Sequence, residues 1–183
     1  MTSVEAVSAL VPITLEAPSV ASVDSVGRAV TGLCAAILGE TPSIAPDPPE
    51  MAGAGSDIMG IISLVGQVDW SLSIGLGAGT ATDVAQRLAG FEIPFDSADM
   101  GDAIGELANL LAGEVKLELD RVGVSVEISL PQVLRGSALG VARQLQAHTK
   151  TLRVDTTCGP LLVTVVTPSL LADHAYAGGE MPT

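Results

Sequence analysis

The stretch that most constrains this chain runs from Met100 to Gly113: Met-Gly-Asp-Ala-Ile-Gly-Glu-Leu-Ala-Asn-Leu-Leu-Ala-Gly. At helical period Met100, Ile104, Leu107, Leu111 and Val115 stack into one apolar stripe, and Asp99, Asp102, Glu106, Asn109 and Lys116 fall on the other face. Glu106 and Asn109 are three residues apart, so their side chains leave the helix on one side, away from the stripe and toward water. Asparagine suits caps and turns better than helix interiors, because its amide competes for backbone hydrogen bonds. Asn109 sits about ten residues past the expected N-cap, too far in for a capping role. Taken alone, the pair also fits an ordinary solvated face, since two fixed residues in four positions recur by chance.

The rest of the chain organises around this helix. A first helix is expected from Ser22 or Asp24 to Gly39, with Val26, Val30, Leu33 and Ile37 in register. Its segment Val26 to Glu40 aligns without gaps on Met100 to Glu114; Gly27, Ala29, Leu33, Gly39 and Glu40 are identical to their counterparts. The chain thus looks internally duplicated, although two Gly/Ala/Leu helices also align by composition. In this first copy Glu106 is replaced by Gly32 and Asn109 by Ala35. Residues 41–56 are rich in Pro, Gly and Ala and suggest a linker, with a short extended piece at 43–45. Strands are expected at 57–65 and 68–76, joined by a Gly66-Gln67 turn, with Trp70 filling the core. Thr80 or Thr82 is expected to cap a short helix closed by Gly90, and Asp96 or Ser97 to cap the central one, where Gly113 offers tight packing. That helix runs to about residue 120. A strand is expected at 124–130 up to a turn at Pro131, an extended region at 140–155, a Cys158-Gly159-Pro160 turn, and a central strand at 161–166. Residues 1–20 are then a peripheral segment, 21–171 one domain and 172–183 a loose tail.

Composition narrows the function. A chain of 183 residues supports one domain with a real core. Hydrophobic residues make up 48% but aromatics only 2%, so the core is built from small aliphatic side chains rather than rings around a large ligand. A net charge of −13 argues against nucleic acid and against anionic membrane surfaces. Cys34 and Cys158 make no disulfide framework, and His148 and His174 lack metal-ligand spacing. The N-terminus has no basic region of a signal peptide, and the longest apolar run, 58–68, is well short of a membrane span. A cytoplasmic protein without membrane insertion is expected.

The flanks of the polar pair add a family. Glu106-Leu107-x-Asn109-x-x-Ala112-Gly113, preceded by Ala103-Ile104-Gly105, resembles the active-site helix of the chemotaxis phosphatases of the CheX, CheC and FliY group. Downstream, Pro131-Gln-Val133-Leu-Arg-Gly136 matches that family's Pro-x-Val-x-x-Gly strand. The resemblance implies an α+β fold, a mainly antiparallel sheet with long helices packed on one face and a pseudo-two-fold duplication. It also implies hydrolysis of the aspartyl phosphate on a CheY-like response-regulator receiver domain. In that scheme Asn109 orients the attacking water and Glu106 pairs with a lysine of the regulator. This chain carries no cofactor of its own, and Mg²⁺ resides on the partner receiver. Gly32 and Ala35 make the chain resemble the single-site CheX type, which is a homodimer; exposed strand edges at 125–130 or 161–166 could pair across the two-fold. Two further readings stay open: a non-catalytic receiver-binding or flagellar-switch module of the same fold, and an unrelated hydrolase using Asp99, Asp102 and Glu106 as paired carboxylates.

Overall fold

The computed structural model describes residues 20–46, 55–141 and 147–168. The expected peripheral segment 1–20, save Val20, and the tail 172–183 lie outside the described residues, as does the middle of the 41–56 linker. In chain order the elements are α1 (Val20–Leu38), β1 (Ser43–Pro46), β2 (Ser56–Gly66), β3 (Trp70–Leu76), α2 (Ala78–Ala89), α3 (Ala98–Asp120), β4 (Val126–Ile128), β5 (Gln132–Leu139), β6 (Ala147–Thr156) and β7 (Gly159–Pro168). All the strands join one antiparallel sheet in the order β1-β6-β7-β3-β2-β4, with β5 also on β2.

Register explains why the helices share one face. Ile44, Val154, Leu161, Leu76 and Ile58 pair into one row across the sheet, and Leu152, Val163, Ile74 and Gly60 into the next. These rows point to the helices, and except for the half-buried Ile44 their apolar side chains are buried. The alternate rows, such as Thr151, Thr164, Ser73 and Ile61, point to the other face. Gly60 lets α3 lie close: a Cβ there would stand 3.0 Å from Ala108 Cβ and 3.1 Å from the Ile104 carbonyl oxygen. The stripe Met100, Ile104, Leu107, Leu111 and Val115 is buried to the last residue, and Trp70 fills the core as expected.

The sheet order is a palindrome of the chain. One half supplies α1, β1 and the β2–β3 hairpin; the other supplies α3, β4 with β5, and the β6–β7 hairpin. The hairpins meet along β3 and β7, while β1 pairs with β6 and β4 and β5 pair with β2. Each half therefore lends its edge strand to the other's hairpin. The helix-level duplication extends to topology, and the α+β fold expected from the sequence is the one observed.

Four local expectations are corrected. The strand expected at 124–130 is only Val126–Ile128, and the chain pairs with β2 a second time after Pro131, as β5. Leu161 to Val166 is no edge, because β7 is hydrogen-bonded on both sides. The short helix starts at Ala78 rather than at a threonine cap: Gly77 stands at the N-cap, and the Asp57 carboxylate accepts from the Ala78 N–H at 2.9 Å. Gly113 makes no tight contact among the described residues, since an added Cβ meets no atom within 4 Å. Ser97, one of the two expected caps, does cap α3 by accepting from the Met100 N–H.

Charge locks the two long helices. The buried Glu118 of α3 accepts from Arg28 of α1 at 2.6 Å and also from Arg121. The Arg28 hydrogen bond, helped by the charge of both arginines, outweighs desolvation and holds the Glu118 carboxyl below its usual range. A carboxyl whose folded pKa is depressed stabilises the fold above its unfolded pKa, and that contribution is lost as pH falls through the folded value. Arg28→Met removes the main cause, so its acid-unfolding midpoint should move to higher pH than that of the wild type, followed by circular dichroism. Gly60→Val forces a branched side chain into the α3 contact and should cost about 1–3 kcal/mol in urea unfolding.

Candidate functional site

The helix that carries the polar pair is fixed at its start and along one flank. Ser97 caps α3, and Arg135 of β5 donates to the Ser97 carbonyl at 2.7 Å while its guanidinium lies 5.5 Å from the Phe95 ring centroid. Gly105 lies against Pro131 and Val133, where a Cβ would be 3.7 Å from each. Lys116, three turns further on, donates to the Val126 carbonyl of β4. Stripe, cap and flank together leave α3 one rotational setting.

In that setting Glu106 is exposed and Asn109 half-buried on the outward side. No hydrogen bond or ion pair engages either side chain among the described residues. Both the carboxylate and the carboxamide are offered outward. Asp99 and Asp102 are exposed on the same face toward the start of the helix. The three carboxylates expected by the hydrolase reading thus share a solvated surface. A groove of about 530 Å³ runs beside α2, lined by Asp83, Arg87 and Cys158, and one of about 580 Å³ lies between α1 and β1. Neither is lined by Glu106 or Asn109.

The counterpart positions on α1 hold nothing comparable. Ala35 is exposed, and a Cβ at Gly32 would stand 3.2 Å from the Glu114 Oε2 of α3. A glutamate there would press a second carboxylate on Glu114, so the packing of α1 on α3 opposes a second polar pair. Other chemistry is absent from the described residues: no group of three or more His, Cys, Asp or Glu could hold a metal ion. Cys34 and Cys158 are buried free thiols. Burial pushes the Cys34 thiol up to about 11, with Glu40 and Cys158 adding to the rise, so it is no thiolate nucleophile at neutral pH. No described helix is long and apolar enough to cross a membrane. His174 lies outside the described residues.

Glu106 and Asn109 stand together on the outward side of a helix held at its start and along one flank. Sequence reasoning singled out this pair and passed over its apolar neighbours Leu110, Leu117 and Leu130, which are exposed. The signal for the first two was present, since Leu110 and Leu117 stand off the buried stripe.

Comparison with known proteins places the chain in a family. Residues 58–154 match the family model described as chemotaxis phosphatase CheX. A CheC-like superfamily protein from Shewanella sp. PV-4 has a similar crystal structure, with a TM-score of 0.71 at 19% identity over 80% of this chain and 97% of that one. CheX from Desulfovibrio desulfuricans gives 0.67 at 19% identity, covering 79% and 97%. A CheX–CheY–BeF3–Mg²⁺ complex from Borrelia burgdorferi gives 0.66 at 19%, covering 81% and 97%. No curated protein matches the sequence.

Because neither side chain takes a partner among the described residues, truncating either should leave the fold intact. Asn109→Ala removes a poor helix former and is expected to be as stable as the wild type or up to about 0.5 kcal/mol more so; Glu106→Ala should stay within about 0.5 kcal/mol. Urea unfolding of both variants checks this.

Proposed function

This chain belongs to the chemotaxis phosphatase family CheX, and we propose that it hydrolyses the aspartyl phosphate of a CheY-like receiver domain through Glu106 and Asn109. The observation that carries the reading is the outward, unpartnered display of this acid–amide pair on a helix fixed by cap, sheet and flank. The Borrelia burgdorferi relative that shares the fold is solved in complex with CheY and Mg²⁺, which supports a receiver as the partner.

The chemistry asks little of the catalyst. In-line hydrolysis breaks the bond between the aspartyl oxygen and phosphorus, forms one from water oxygen to phosphorus, and releases a free carboxylate and inorganic phosphate. Phosphoryl transfer of this kind depends on positioning and charge stabilisation rather than on covalent help. Mg²⁺ held by the receiver would shield the charge of the phosphoryl group. The Asn109 carboxamide accepts and donates hydrogen bonds without net charge, so it can hold a water in line and is not repelled by the phosphoryl oxygens. Glu106, one turn earlier and fully wet, pairs with a lysine of the receiver and fixes the docking angle. With Gly32 and Ala35 on α1, each chain carries one such site. The outer edges of β1 and β5, unpaired among the described residues, offer strand-to-strand contact for a cytoplasmic homodimer.

Decay of radiolabelled phosphate on candidate receiver domains tests the reading. Wild type is expected to accelerate decay, and Asn109→Ala to lower kcat at least about a hundredfold, as positioning groups do. Decay at the receiver's own rate despite binding would replace catalysis with an adaptor role.

A further inference from the structure

We infer that the outer face of α3 beyond the polar pair, together with the corner at Leu130, docks the receiver domain by taking an apolar patch that borders its phosphorylation site. This rests on the reading of Glu106 and Asn109 as the groups that meet the phosphoryl centre.

Two exposed leucines follow the pair on α3, and a third stands on the strand edge beside the helix. Leu110 and Leu117 are 36% and 53% exposed, and Leu130 is 88% exposed. Leu110, Gly113 and Leu117 follow Glu106 at four, seven and eleven residues, which puts them on its side of the helix. Glycine in a helix interior is less stable than alanine, and the chain itself leaves open space at Gly113. The notch between the two leucines is therefore unfilled among the described residues, and it lets a partner approach the helix backbone.

Leu130 joins this surface from the sheet edge. The chain from Val126 to Val133 runs antiparallel along the flank of α3, with Val126 tied to Lys116 and Pro131 and Val133 beside Gly105. Leu130 thus immediately precedes Pro131, the residue that lies beside Gly105 on α3. Its corner is held in place: the Ser129 N–H donates to the Ser63 carbonyl at 2.9 Å, the Ser63 N–H donates to Ser129 Oγ at 3.0 Å, and that hydroxyl donates to the Leu130 carbonyl. A leucine presented on a fixed corner is pre-organised to enter an apolar patch.

The face is also directional. Asp99 and Asp102 stand at its start, the Glu106–Asn109 pair follows, and Leu110 and Leu117 come next, before the exposed Asp120 at its end. A receiver that sets a cation against Glu106 and an apolar patch against Leu117 and Leu130 can dock in one orientation only. Apolar complementarity then decides which receiver is served, while Asn109 decides how fast it turns over.

Steady-state dephosphorylation over a range of phosphorylated receiver concentrations separates the two roles. Leu117→Asp and Leu130→Asp should each raise KM about tenfold or more with kcat within about twofold of wild type. Gly113→Ala, which the helix itself favours, should raise the melting temperature and KM together. Wild-type KM in all three variants, while Asn109→Ala abolishes turnover, overturns the docking surface and leaves the catalytic reading standing. Full turnover by Asn109→Ala overturns both. If the aspartate variants instead dissociate a dimer in sedimentation velocity without changing KM, a second copy covers the leucines and the inference fails.

Discussion

The close seat of α3 on the sheet at Gly60 sets the terms for the rest of the molecule. Because Gly60 adds no side chain, Ile104 and Ala108 rest almost on the backbone of β2, and Gly105 lets the same helix press sideways on Pro131 and Val133. A helix buried to this depth on two sides has one side left. What stands there is fixed by arithmetic of the helical turn, and it is Glu106 and Asn109. The pair is held in place by contacts on the far side of its helix rather than by partners of its own among the described residues.

Much of this was legible in the sequence because period is a local property. The stripe from Met100 to Val115, the caps at Ser97 and Gly90, and the Trp70 face of the hairpin all follow from residues within a turn or two of one another. The misreadings arose where distant chain segments decide. Asp57 caps α2 from twenty-one residues away, so the threonines looked like the better start. The strand after α3 is broken at Ser129 because that residue bonds to Ser63, a partner no window of sequence contains. Leu130 was counted in an alternating strand and stands instead on a corner. The site residues were legible as a pair, but their lack of internal partners was not, since every neighbour's position had to be known first.

The two halves have diverged within a shared frame. Where α3 meets Gly60, the pairing rows put Leu152 in the matching place on the α1 side, and there a groove of about 580 Å³ stays open between helix and edge strand. On that side Arg28 serves structure, through Glu118. One repeat carries the acid–amide pair and the other braces its helix through Arg28.

The exchange of edge strands ties these fates together in time as well as in space. Ser43 can find its place only when Asp155 has been made, and β2 keeps an open edge until the chain beyond α3 emerges. On the ribosome, the sheet of the first repeat therefore stays unfinished until the second repeat has been made. A tandem duplication begins as two modules that could part. Here neither can be deleted, shuffled or inherited alone, so any further change in the quiet half must be accepted by the working one.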